Sequence, residues 1–68
     1  MPPVVRLQQV IKALERNGYS LVNQRGSHRK YKKNGRSVIV PMHYELAWGT
    51  LSSILEQSGL TLDDVMKK

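Results

Sequence analysis

Asn34-Gly35 constrains the fold of this chain more than any other pair of residues. A two-residue hairpin turn of type I′ needs positive φ at both central positions, and Asn-Gly adopts it readily. Runs rich in strand formers lie on either side, His28 to Lys33 and Arg36 to Pro41. With Asn34 and Gly35 as the loop, Lys33 faces Arg36, Tyr31 faces Val38, Arg29 faces Val40 and His28 faces Pro41. Opposed residues share a face of the sheet, and successive residues alternate. Tyr31, Val38 and Val40 therefore fall together, on the face assigned to the core. His28, Lys30, Lys32, Ser37 and Ile39 fall on the other face. His43 joins them, diagonal to His28, if the extended path continues past Pro41. A slip of one residue would exchange the two faces, so the assignment depends on this turn.

The flanking chain supplies the helices. After a Met1-Pro2-Pro3 leader, Val4, Leu7, Val10, Ile11 and Leu14 recur at helical spacing, which predicts a helix over 4–17 ended by Asn17-Gly18. Tyr19 to Gln24 reads as a first strand and Arg25-Gly26-Ser27 as a turn. Met42 to Trp48 reads as a loop. Gly49-Thr50 opens a second helix, with Thr50 as N-cap and Leu51, Ile54 and Leu55 as its apolar stripe, ending at Gly59. Thr61-Leu62-Asp63-Asp64 resembles a capping box with Asp in place of Glu. A short terminal helix through Val65 and Met66 follows, with Lys67 and Lys68 suited to its C-terminal dipole. The order α-β-β-β-α plus a short tail predicts an α+β fold, a three-stranded antiparallel sheet with both helices on one face.

The chain of 68 residues is expected to form one domain, 1–68, with a small core. That leaves no room for a dinucleotide-binding fold. There is no cysteine, which removes disulfides and thiolate chemistry. The longest apolar run is Val38-Ile39-Val40, far short of a membrane span, and no apolar segment of a signal peptide follows the prolines. The expectation is a soluble cytoplasmic protein with no membrane association.

Charge narrows the partner. The formal net charge is +6 and the pI about 10.1. Arg25, Arg29, Lys30, Lys32, Lys33 and Arg36 place six of the eleven basic side chains within twelve residues, uninterrupted by an acid. A segregated basic patch on so small a chain points to an acidic partner, nucleic acid or an acidic protein.

His28 lies inside that patch. A metal site is not expected, because His28 and His43 are the only imidazoles and cationic neighbours repel a divalent ion. Paired-carboxylate chemistry is equally poor, since Glu45 is the only acid within ten residues of either histidine. Phosphodiester cleavage fits better. RNA carries its own nucleophile in the 2′-OH, so an enzyme supplies a proton acceptor, a proton donor and cations for the charge developing on phosphate. A histidine among Arg25, Arg29 and Lys30 provides those parts. The same histidine would serve equally as a plain phosphate contact, and both roles stand open at this point. Tyr19 and Tyr31 read as core. Trp48 either packs over the end of the core or sits at a partner interface.

Four blocks carry a resemblance: Asn17-Gly18-Tyr19; Arg25-Gly26-Ser27-His28; Val40-Pro41-Met42-His43; and Gly49-Thr50-Leu51-Ser52-Ser53-Ile54-Leu55-Glu56-Gln57-Ser58-Gly59-Leu60. In this order and spacing, from Leu7 to Leu60, the chain resembles the HicA toxin family. The resemblance implies a double-stranded-RNA-binding-domain-like fold. It implies a ribosome-independent mRNA interferase, an endoribonuclease that arrests translation and growth, and the residues themselves lead to the expectation that it needs no metal or other cofactor. That enzyme would be the toxin of a type II toxin–antitoxin pair, with a HicB-type antitoxin as partner and single-stranded mRNA as substrate. The family's catalytic histidine carries over to His28, with Gly26 and Ser27 as the turn that presents it. Arg25, Arg29, Lys30, Lys32 and His43 are then expected to contact RNA. The protein is expected to be a monomer alone and a hetero-oligomer with the antitoxin. The chain departs from the family pattern at Ala47-Trp48, where lysines are usual, and Trp48 suits an interface anchor. Two further readings use the same fold: a non-catalytic RNA-binding module, and an inactive toxin-fold subunit that acts only in assembly with its antitoxin on operator DNA.

Overall fold

The computed structural model describes residues 4–67. The Met1-Pro2-Pro3 leader and the role expected of Lys68 lie outside the described residues. In chain order the elements are β1 (Val5–Arg6), α1 (Leu7–Arg16), β2 (Ser20–Arg25), β3 (His28–Lys33), β4 (Arg36–Pro41), β5 (Glu45–Leu46), α2 (Trp48–Ser58) and α3 (Leu62–Met66). β2, β3 and β4 form an antiparallel sheet in that order, and β1 pairs with β5 in a separate antiparallel ribbon.

The hairpin is as the turn dictates. Asn34 takes φ 48° and Gly35 φ 82°, the positive values that a type I′ loop needs. The register runs His28 opposite Pro41, Tyr31 opposite Val38 and Lys33 opposite Arg36. Tyr31, Val38 and Val40 are buried, and they meet Val10, Ala13 and Leu14 of α1 and Leu51 and Ile54 of α2 in one core. Both long helices thus cover the same face of the sheet, in the α+β arrangement of a double-stranded-RNA-binding-domain-like fold.

The first helix departs from the expected 4–17. It spans Leu7–Arg16, because Val5 and Arg6 are drawn into strand pairing with Leu46 and Glu45. The Leu7 N–H donates to the Tyr44 carbonyl at 2.9 Å, which ties the helix start to the segment expected to be a loop. Gln9 Oε1 accepts from the Arg6 N–H at 2.9 Å, one half of a capping box. Arginine has no acceptor atom, so Arg6 cannot supply the other half. At the far end the Tyr19 N–H reaches the Leu14 carbonyl and the Gly18 N–H the Glu15 carbonyl, the paired bonds of a Schellman motif. The first strand begins at Ser20 rather than Tyr19 for that reason: Tyr19 closes the helix and is buried, its hydroxyl donating to the Ser58 carbonyl at 2.7 Å.

The second helix also starts earlier than expected. Ala47 is its N-cap, and Thr50 lies inside the first turn. The β1–β5 pairing ends at Leu46, and the Leu51 N–H already donates to the Ala47 carbonyl at 2.9 Å. The Thr61–Asp64 capping box of α3 is complete: Asp64 Oδ2 accepts from the Thr61 N–H at 2.9 Å, and Thr61 Oγ1 accepts from the Asp64 N–H at 3.2 Å. Val65 then seats α3 in the core beside α1.

Candidate nucleic-acid interface

Two tight turns bring the site together. β2 and β3 are joined by Gly26-Ser27, with Gly26 at φ 54°, so that Arg25 stands directly opposite His28. Directly opposed side chains in an antiparallel pair are ~5 Å apart at Cβ. Lys30 lies two residues along β3 from His28 on the same face and opposite Ile39. Arg25, His28, Lys30, Asn23 and Ile39 line a shallow hollow of about 340 Å3 on the face that no helix covers. Arg25 and His28 are exposed and Lys30 is half-buried, so imidazole and cations are open to a ligand of any length.

Strand alternation divides the six clustered cations three and three. Arg25, Lys30 and Lys32 share the face of His28. Arg29, Lys33 and Arg36 share the face of Tyr31. Arg29 Nε donates to Gln24 Oε1 at 3.2 Å, and its guanidinium makes a longer 3.5 Å contact with the Tyr31 hydroxyl. The Lys33 ammonium sits over the Tyr19 ring, 5.8 Å from its centroid. Arg36 lies against Gly59 at the end of α2. Arg29 borders the hollow at His28, but its charged group is held on the opposite side of the strand.

His43 does not follow on. The Met42 N–H donates to the Ser27 carbonyl, which extends the ladder by one step, and Met42 packs against the core. The His43 N–H then turns back to the Pro41 carbonyl at 2.9 Å, a γ-turn bond that ends the extended path. His43 is exposed and lies outside the lining of the hollow. Trp48 is exposed at the first position of α2.

Sequence reasoning missed Asn23 as a lining residue. Its placement depends on a bulge at Val22: Leu21 pairs with Tyr31, yet Asn23 pairs with Lys30. Such an insertion re-aims the strand and leaves no composition signal. Ile39 was legible, since the turn places it opposite Lys30. It gives the hollow an apolar patch, while its N–H, on the edge of the sheet, donates to Gln57 Oε1 of α2 at 3.0 Å.

An exposed basic sheet face with a histidine at one end, backed by two helices, defines a small α+β domain whose open face suits an acidic partner. Comparison with protein families agrees: the family model described as the HicA toxin of bacterial toxin–antitoxin systems matches residues 7–60. That span covers most of the chain, which therefore belongs to the HicA toxin family. No curated protein matches the chain. Membership makes it a toxin of the toxin–antitoxin kind. Among the described residues, no helix is long and apolar enough to cross a membrane.

Proposed function

We propose that this toxin is a metal-independent endoribonuclease that cleaves single-stranded mRNA with His28 as its general acid or base. The observation that carries the reading is the exposed Arg25–His28 pair, opposed across β2 and β3, with Lys30 on the same face. The 2′-oxygen of the RNA attacks the neighbouring phosphorus, the bond to the 5′-oxygen breaks, and a 2′,3′-cyclic phosphate forms. One proton leaves the 2′-OH and one reaches the departing 5′-oxygen. His28 handles one of these transfers, a contribution typically worth 10²–10⁴-fold. Arg25 and Lys30 balance the charge that builds on the phosphate oxygens, and Lys32 carries the strand's backbone further along β3. Arg29 serves mainly by fixing β2 to β3 through Gln24 and reaches phosphate only from the rim of the hollow. His43, one turn beyond Pro41, extends the basic surface. A HicB-type antitoxin would silence the enzyme by covering this face with an acidic surface, which also explains the charge imbalance.

The deciding experiment incubates purified protein with single-stranded RNA in EDTA beside His28→Ala. Cleavage that persists in EDTA and disappears in the variant is the expected result. Full activity in His28→Ala would refute the mechanism. Binding without cleavage in both would make the chain an RNA-binding module.

A further inference from the structure

A second concavity lies beyond the end of the sheet that carries His28. A groove of about 670 Å3 is lined by Val4, Arg6, Leu7, Gln8, Ile11 and Tyr44, together with Gln9. Its volume falls within the range of small-molecule sites, and it is about twice that of the hollow at His28. Tyr44 is 69 % exposed, the most exposed of the large hydrophobic side chains among the described residues. The Arg6 guanidinium lies over its ring, 5.3 Å from the centroid. Neither side chain belongs to the core.

We propose that this groove is a nucleobase subsite, in which a base of the bound RNA strand stacks on Tyr44 and Arg6, to one side of the phosphate held at His28. The inference rests on RNA being the ligand of the basic face. Its own support is threefold. Aromatic rings and arginine planes are the surfaces on which unpaired bases stack. Val4, Leu7 and Ile11 give the groove an apolar floor for a flat ring, and exposed Gln8 offers both a donor and an acceptor to a base edge. The lining contains a cation and no acid, which suits a polyanion.

Position supports the same assignment. Tyr44 is three residues past Pro41, and Pro41 stands opposite His28. Extended chain reach plus the interstrand spacing keeps the two Cα atoms within about 16 Å at most, a span a strand of a few nucleotides covers. The Tyr44 carbonyl is fixed by the Leu7 N–H, so the platform is anchored to α1. Exposed His43 lies between the two sites in sequence.

The test measures binding of short single-stranded 2′-O-methyl RNA, which lacks the nucleophile and stays intact, to the full chain and its Tyr44→Ala, Tyr44→Phe and Arg6→Ala variants. Tyr44→Ala should weaken binding about 5- to 100-fold, and Tyr44→Phe should bind like the parent. Abasic substitution at one nucleotide position should weaken the parent and leave Tyr44→Ala unaffected. Equal binding by parent and Tyr44→Ala, with no position-specific abasic effect, would overturn the subsite and leave the groove to a protein partner. That result leaves His28-dependent cleavage untouched. Conversely, absence of cleavage with Tyr44-dependent binding would remove the enzyme and keep the subsite. A parent that binds no RNA removes both.

Discussion

The two faces of the β2–β3–β4 sheet differ in burial and in charge. Tyr31, Val38 and Val40 on one side are sealed beneath α1 and α2, and each is at most 1 % exposed. His28, Lys32 and Ile39 on the other side lie open to solvent, with Arg25 and Lys30 beside them. The same six-residue strand, β3, contributes to both by simple alternation. The core and the candidate interface are thus separated by one peptide unit. Substitutions on one face should move melting with little chemistry, and those on the other should do the reverse.

The largest effect is expected at Tyr31. Tyr31→Ala opens a cavity at the centre of the core and should cost about 3–5 kcal/mol, against a total of roughly 3–10 kcal/mol for a chain of this size. Thermal or urea denaturation followed by circular dichroism would read it, and a loss under 1 kcal/mol would mean the core is not where the register puts it. His28→Ala, three residues away, should leave the denaturation midpoint unchanged while lowering RNA cleavage by about 10²–10⁴-fold. A matching drop in stability would break the separation of the faces.

Gly59→Ala tests a cation on the covered side. Gly59 holds φ 74°, and a Cβ there would run into the Arg36 guanidinium. The left-handed backbone alone costs about 1–2 kcal/mol for an ordinary residue, and displacing Arg36 adds to it. The partner measurement on the open side is Lys30→Ala, which should weaken RNA binding across sequences and flatten the plot of log affinity against log salt by about one unit. Arg29→Ala should flatten it less, since its guanidinium already serves Gln24.

The smallest effect is expected at the α3 cap. Thr61→Ala removes the acceptor for the Asp64 N–H and should cost about 0.5–2 kcal/mol. The Thr61 N–H and then its hydroxyl hold the Asp64 carboxyl below its ordinary 3.8, assisted by Lys67 and Arg16 and opposed by slight desolvation. A lowered folded-state value means that the stabilisation is complete above 3.8 and is lost as pH falls through the folded value. Asp64→Asn should therefore lower stability at neutral pH, flatten part of the acid limb of a stability–pH curve, and leave the low-pH end, where Asp64 is protonated, least affected. An unchanged acid limb would show that the cap does not hold the carboxylate.

How much of this was legible follows from how local each cause is. The site face was legible because Asn34-Gly35 fixes a register by backbone sterics alone, and that register placed His28, Lys30, Lys32 and Ile39 together. The closing turns and the α3 capping box were legible for the same reason. Arg29 shows where charge density misleads: the alternation that sets Lys30 beside His28 sets Arg29 beside Val40, yet both arginine and lysine count alike in a basic run. His43 was placed on a condition, continued extension past Pro41, that the turn at Met42 does not meet.

The sequence alone determined the three strands of the main sheet, the hairpin register and the points where the two long helices stop, because these depend on φ preferences, periodicity and caps acting within a few residues. Only the tertiary structure decided the rest. Val5 pairs with Leu46 across some forty residues, in strands of two residues that are too short to carry any period. The Val22 bulge, the Gln57 bond to the Ile39 edge and the grouping of Arg6 with Tyr44 are likewise contacts between distant segments. No local preference encodes them, since each exists only once the helices have closed on the sheet and brought its partners within reach.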